Sequence, residues 1–175
     1  VIQTNLLDIL DKYGVSVEEN LVLDEACNNI TVTQQRGIFR MNSAVPYPFF
    51  PIIRSFGNNV MVQGLEQVHT LFPSEITWDT TDSMSMVEPL FHTSDRSSTM
   101  AGFYNLSPID NPAFKTLTEN SKVVAVYSTS QTETATSQLV YVADSSFLVD
   151  DAGGRMPENL IFTMNASDVL IGDRD

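Results

Sequence analysis

Apolar residues recur along the chain with two different periods, and the changes of period mark its elements. Ile2, Leu6, Ile9, Leu10 and Tyr13 follow the spacing that lays side chains on one face of a helix. Gly14 stands where a left-handed residue would end that helix. Val15–Val17 and then Leu21-Val22-Leu23, before Asp24, read as extended. Helix, glycine and strand in that order predict half of a βαβ unit whose first strand is missing. Residues 28–44 alternate through Ile30, Val32, Ile38, Phe39 and Met41 about a turn at Gln34–Gly37, which predicts a hairpin. Residues 45–53 contain three prolines, and proline cannot donate to a ladder, so an extended edge segment is expected there.

Further along, Val68–Ile76 reads as a strand interrupted at Pro73, with Trp78 just after it. Met84–His92 alternates and runs into the polar loop Thr93–Ser98. Residues 99–121 are irregular, with one helical turn around Ala113–Leu117. The strongest β signals are the nearly continuous apolar runs Val123–Tyr127 and Leu139–Ala143, which suit central strands covered on both faces. Ser128–Ser137 between them reads as a solvated loop. Pro157 and Glu158 open a final helix, with Leu160, Ile161 and Met164 as its inner edge and Gly172 as its stop. The order of elements predicts an α/β chain. Its expected form is a Rossmann-like or flavodoxin-like layered domain with a mixed, mostly parallel central sheet. A β-rich excursion is expected over residues 28–90.

The chain has 175 residues, the length of one domain, and no linker or repeat divides it. Only 18% of its residues are charged, and Ser, Thr, Asn and Gln fill the deficit, a surface often seen outside the cytoplasm. Net charge is −13, from 22 acidic and 9 basic residues, with no basic cluster; that field repels nucleic acid and anionic head groups. No stretch reaches the roughly 18 apolar residues of a membrane span. The chain starts at Val1 inside its first helix, which suggests a piece trimmed from a longer protein.

The search for chemistry is short. Cys27, the single cysteine, has no CxxC companion and lies in Glu25-Ala26-Cys27-Asn28-Asn29, not in a nucleophile elbow; it reads as a packed thiol. His69 and His92 lack metal-ligand spacing, and only His92, beside Thr93 and Ser94, places a base near hydroxyls. Asp144, Asp150 and Asp151 around Ser145-Ser146 do not fit a calcium loop. Asp144 ends a strand at the edge where open α/β sheets bind ligands, although an Asx-type cap for the following turn is the simpler reading. Glycine-rich phosphate motifs are absent, and no cofactor is expected. Tyr47, Phe49, Phe50, Phe56, Phe72 and Trp78 could form a sugar platform but suit a core layer better. The ligand candidates that remain are Thr93, Ser94, Ser97, Asp144 and Ser145.

Six segments, in order, resemble one family. Asn5-Leu6-Leu7-Asp8-Ile9-Leu10-Asp11-Lys12-Tyr13-Gly14-Val15 is similar to the opening helix of the gliding-motility ABC-transporter auxiliary family. Leu21–Asp24, Tyr47–Pro51 and Leu90–Ser97 resemble its next strand, its aromatic–proline segment and its L-x-x-T-S-x-x-S strand and loop. Val140–Leu148 resembles its G-D-S-x-F element, with Ala143 where glycine is usual. Asn159–Leu170 resembles its closing N-x-x-F-x-x-N-A-x-x-x-L helix. The resemblance implies a glutamine-amidotransferase-like fold without the nucleophile. It implies a non-enzymatic accessory domain on the periplasmic side of the inner membrane, held by membrane segments beyond this chain. Its partners would be an ABC-transporter permease or other envelope proteins, and residues 1–175 would be the C-terminal part of a larger extracytoplasmic domain. A carbohydrate or small-ligand binding module, and a degenerate amidotransferase-like hydrolase, are the alternatives.

Overall fold

The computed structural model describes residues 5–37, 39–80 and 84–172, so the expectations for Ile2 and Ile38 lie outside the described residues. The chain opens with helix α1 (Leu6–Asp11), then strands β1 (Val15–Val17), β2 (Asn20–Asp24), β3 (Cys27–Arg36), β4 (Phe39–Ile53) and β5 (Ser55–Phe56). Next come β6 (Val68–His69), β7 (Ile76–Trp78), β8 (Ser85–His92) and β9 (Ser97–Ala101). Strands β10 (Val123–Gln131) and β11 (Thr136–Val142) precede helix α2 (Pro157–Ile171). The strands form four small sheets, with orders β11-β10-β8-β5, β3-β4-β6, β2-β9 and β1-β7.

Every pairing is antiparallel, which overturns the expected Rossmann-like or flavodoxin-like domain with a mostly parallel central sheet. The decisive element is the polar tract Ser128–Ser137. It is the paired half of a hairpin, in register from Ala125↔Val142 to Gln131↔Thr136, and not a long loop. Its turn closes through Thr132 N–H to the Ala135 carbonyl at 2.9 Å. So short a connection cannot make a parallel crossover. The apolar run of β10 did report its burial correctly: Val124, Ala125 and Val126 are fully buried, between two core clusters. Burial on both faces reads the same in either strand direction. The expected half βαβ unit fails for the same reason, because β1 pairs antiparallel with β7.

Of the three prolines of β4 only Pro51, at the buried end, lies between two neighbours, β3 and the chain after β6, where an edge is expected; Pro46 is exposed and pairs with β3 alone, as an edge residue does. A proline loses only its donor. The Pro51 carbonyl still accepts from Thr70 N–H at 3.0 Å, and Ile52 N–H donates to Ala26 at 2.8 Å. Strand β9 lies in a stretch expected to be loop and irregular chain; its polar Ser97 and Ser98 are buried against β2.

The largest core cluster packs α2 against β10, β8 and β6 through Phe162, Ala166, Phe91, Val124 and Val68. A second cluster lies under α1, where Leu10 and Val15 meet Ile76, Val126 and Ala143. A third gathers Leu23, Tyr47, Phe49 and Leu117. The six aromatic candidates divide among these clusters. Tyr47, Phe49, Phe50 and Phe72 stack on one another and partly on Phe114. Phe56 meets Phe91, and Trp78 joins the cluster under α1.

Helix α2 begins with Pro157 and ends on Gly172 in the left-handed conformation, as its sequence predicts. Its inner face differs from the expected one. Asn159, Phe162 and Ala166 are buried, whereas Leu160, Ile161 and Met164 are 46%, 46% and 67% exposed. Apolar residues lie all round this helix, so hydrophobicity alone does not orient it; the buried asparagine does. Among the described residues no helix is long and apolar enough to cross a membrane.

Truncating Phe162 to alanine should cost about 3–5 kcal/mol of unfolding free energy, and Leu160→Ala less than about 1 kcal/mol. Chemical denaturation of the two variants checks the assignment, and the reverse order would restore the apolar edge as the inner face.

Candidate functional site

The sequence candidates fall into two groups that hold different partners. Thr93, Ser94 and Ser97 surround the end of β2, where the Asp24 carboxylate is fully buried. Asp24 accepts from Ser94 N–H at 2.6 Å, Ser94 O–H at 2.5 Å and Ala26 N–H at 2.9 Å. Thr93 Oγ1 accepts from Lys122 N–H at 2.7 Å, and Ser97 O–H donates to the Asn120 carbonyl at 2.9 Å. Ser121 O–H closes on the Thr93 carbonyl at 2.8 Å. The polar loop is therefore a knot tying β8 and β9 to residues 119–122. Lys122 caps it: burial alone would lower its ammonium, but Glu119 at 3.0 Å and Glu75 at 3.7 Å hold it above its ordinary value.

Asp144 and Ser145 follow β11. Asp144 is 8% exposed, and its two oxygens accept from Leu71 N–H at 2.8 Å and Ser146 N–H at 2.7 Å. The second bond is the Asx-type turn the sequence suggests. The first fastens the break between β6 and β7 to the end of β11. Burial raises the Asp144 carboxyl above its ordinary value, although both backbone donors pull the other way. Ser145 is exposed. Among the described residues no hydrogen bond joins this group to the Asp24 knot.

A third joint was not singled out as a site, though the closing-helix motif contains Asn159 and Asn165 from it. Asn159 is fully buried in the first turn of α2. Its Oδ1 accepts from His69 N–H at 2.9 Å, and its Nδ2 donates to the His69 carbonyl at 2.9 Å and to the Phe147 carbonyl at 3.3 Å. A side-chain amide here pairs with a peptide as a neighbouring strand would. Beside it, Glu158 Oε2 accepts from Gln67 N–H at 2.6 Å and Glu66 N–H at 2.9 Å. Asn165 donates to the Met61 carbonyl at 3.2 Å. Three polar residues on one helix thus hold the segment 61–69. The missed signal was Asn159 in the first turn, directly ahead of the apolar run Leu160-Ile161-Phe162.

The reactive side chains are arranged as follows. Burial pushes the half-buried Cys27 thiol up; a Tyr47 backbone hydrogen bond opposes this, and the charges of Asp24 and Glu25 add to it. A raised thiol is protonated at neutral pH and is a poor nucleophile. The His69 ring nitrogens face Asn28 Nδ2 at 2.9 Å and Gln67 Nε2 at 3.4 Å. Burial lowers His69, and burial lowers His92 at the end of β8. Among the described residues no three His, Cys, Asp or Glu side chains are placed to hold a metal ion.

Two clefts meet at the end of β11. One, of about 360 Å³, lies between β11 and α2 and is lined by Val140, Val142, Phe147, Phe162, Ala166 and Leu170, with Asp144 and Ser145 at its margin. The other, of about 310 Å³, lies on the α1 side, with Leu6, Phe72, Tyr141 and Val142 around it, and shares Asp144 and Ser145.

Comparison with known proteins gives one family. The family model described as "ABC-type uncharacterized transport system" matches residues 1–171, and the chain belongs to that family of auxiliary transport components. No curated protein and no solved structure matches the chain. Of the six motifs that carried the resemblance, four map onto the joints just described: Leu21–Asp24 and Leu90–Ser97 on the Asp24 knot, Val140–Leu148 on Asp144, and Asn159–Leu170 on the α2 clamp.

Asn159→Ala leaves two carbonyls and one N–H without partners, and should cost about 3 kcal/mol of stability, measured by denaturant titration. The histidines give a second test. Their folded values lie below the ordinary 6.5, so the unfolded chain takes up protons first as pH falls through that value. Stability conferred by the neutral rings is full above pH 6.5 and is lost below it. Wild type should therefore lose stability relative to the H69Q/H92Q variant on acidification through this window; a pH-independent difference would contradict the burial of the rings.

Proposed function

We propose that this chain acts as a non-enzymatic, extracytoplasmic accessory domain of an ABC-type transport system, working through contacts with the permease or other envelope proteins. One observation carries the reading. Asp24, Thr93, Ser94, Ser97, Asp144 and Asn159, polar residues of its family motifs, are spent on internal joints, while large apolar side chains stand at the surface. Leu6, Leu7 and Ile9 on α1 and Leu160, Ile161 and Met164 on α2 are each more than 40% exposed. Exposed apolar residues in such number favour a role in protein contact. The protonated Cys27 thiol supports the absence of a cysteine nucleophile. The small share of charged residues supports the extracytoplasmic side. Participation in gliding motility is a narrower reading that rests on the motif resemblance alone.

The full-length protein, tagged, should co-purify with the permease of its own transporter from detergent-solubilised membranes. In a C27S background, a cysteine introduced by M164C should react with a membrane-impermeant maleimide in spheroplasts. Labelling only after lysis would overturn the extracytoplasmic placement. A hydrolytic activity lost in C27S would overturn the non-enzymatic one.

A further inference from the structure

Among the described residues the four-stranded sheet ends at β11, which pairs with β10 on one side only. Ala143 N–H donates to the Val124 carbonyl at 2.9 Å. In an antiparallel pair peptide groups alternate in direction, so Val140 and Val142 turn theirs toward the free edge. Natural proteins usually protect such an edge with lysine, proline or a covering element. β11, Thr-Ser-Gln-Leu-Val-Tyr-Val, contains neither proline nor any charged residue. The two clefts flank this edge, one on each face of the sheet, and meet at Val142–Ser145. A strand laid along β11 sends alternate side chains to opposite faces, so consecutive residues would enter the two clefts in turn.

Charge selects the occupant. Residues 132–172, the stretch of chain that contains β11 and α2, carry six carboxylates (Glu133, Asp144, Asp150, Asp151, Glu158 and Asp168) against one basic residue, Arg155, and Asp144 itself lines both clefts. Arg155 is itself engaged by Asp151. A second copy of this chain would bring the same negative charge to the interface.

We propose that the β11 edge is a docking site for an extended partner segment of alternating apolar residues with flanking lysine or arginine, bound by strand addition. The inference rests on the reading that the chain works through protein contacts, and names the surface.

The test uses the 175-residue chain and a synthetic peptide, Lys-Lys-Val-Thr-Val-Thr-Val-Lys-Lys. At about ten times the dissociation constant, amide exchange at Val140 and Val142 should slow roughly tenfold. The same peptide N-methylated at alternate amides, and one flanked by glutamate, should leave exchange unchanged. V140P removes an outward donor without breaking the β10 ladder and should abolish the slowing; the N-methylated peptide decides the matter if that variant does not fold. Equal binding of the N-methylated peptide overturns strand addition, and equal binding of the glutamate peptide overturns the charge selection. Protection of Val140 and Val142 that rises with protein concentration, without peptide, would assign the edge to self-association and overturn the proposal. No slowing with the lysine peptide overturns the edge alone if the full-length protein still co-purifies with the permease. Loss of co-purification with retained peptide binding would overturn the accessory reading instead.

Discussion

The side chain of Asn159 pairs with both peptide groups of His69, and the placement of α2 depends on that contact. Four small antiparallel sheets cannot hold their relative positions by ladder hydrogen bonds alone, because each ladder ends after a few residues. At the ends of the strands, buried peptide groups need partners, and an unpaired one costs about 1–3 kcal/mol. Asn159 supplies them for β6, and Glu158 and Asn165 extend the same grip to either side. With these contacts made, Phe162 lands against Phe91 at a ring separation of 4.6 Å, and the principal core closes.

The same device recurs twice. The Asp24 carboxylate gathers the start of the loop after β8, and the Asp144 carboxylate catches Leu71 between β6 and β7. Buried carboxylates are costly unless well supplied with donors. Each of these two accepts from at least two backbone N–H groups, and no buried side-chain polar atom lacks a partner among the described residues. This explains why family motifs rich in Asp, Asn, Ser and Thr need not signal chemistry. They mark places where strands from different sheets are joined. Large apolar side chains on α1 and α2 and the edge of β11 remain accessible.

Much of the local structure was legible. The hairpin over residues 28–44, strand β8, the buried run of β10, and the Pro157 and Gly172 limits of α2 follow from short-range patterning and cap chemistry, although Gln34–Arg36, expected in the turn, extend β3. Strand direction did not. A continuous apolar run reports burial on two faces, and β10 has that in an antiparallel sheet. Polar residues misled twice in the same way: Ser128–Ser137 and Ser97–Ser98 form strands because backbone pairing, not side-chain hydropathy, holds them. The inner face of α2 was hidden because a buried asparagine outranked three exposed apolar residues. At the candidate site, sequence picked out Thr93, Ser94, Ser97 and Asp144, and the structure shows what they bind. Asp24, which holds Ser94, and Asn159, which holds His69, lie inside motif segments, but neither reads as a joint because each follows or precedes an apolar run without a partner legible in the sequence.

The central claim is that these buried polar residues are structural joints whose bonds open only when the whole molecule unfolds. Native-state hydrogen exchange at three amides tests it most directly: His69 on Asn159, Leu71 on Asp144 and Ser94 on Asp24. All three should exchange with the free energy and denaturant dependence of global unfolding, matching the amides of β10. Exchange of any of them through a low-energy local opening, while β10 stays protected, would contradict the account.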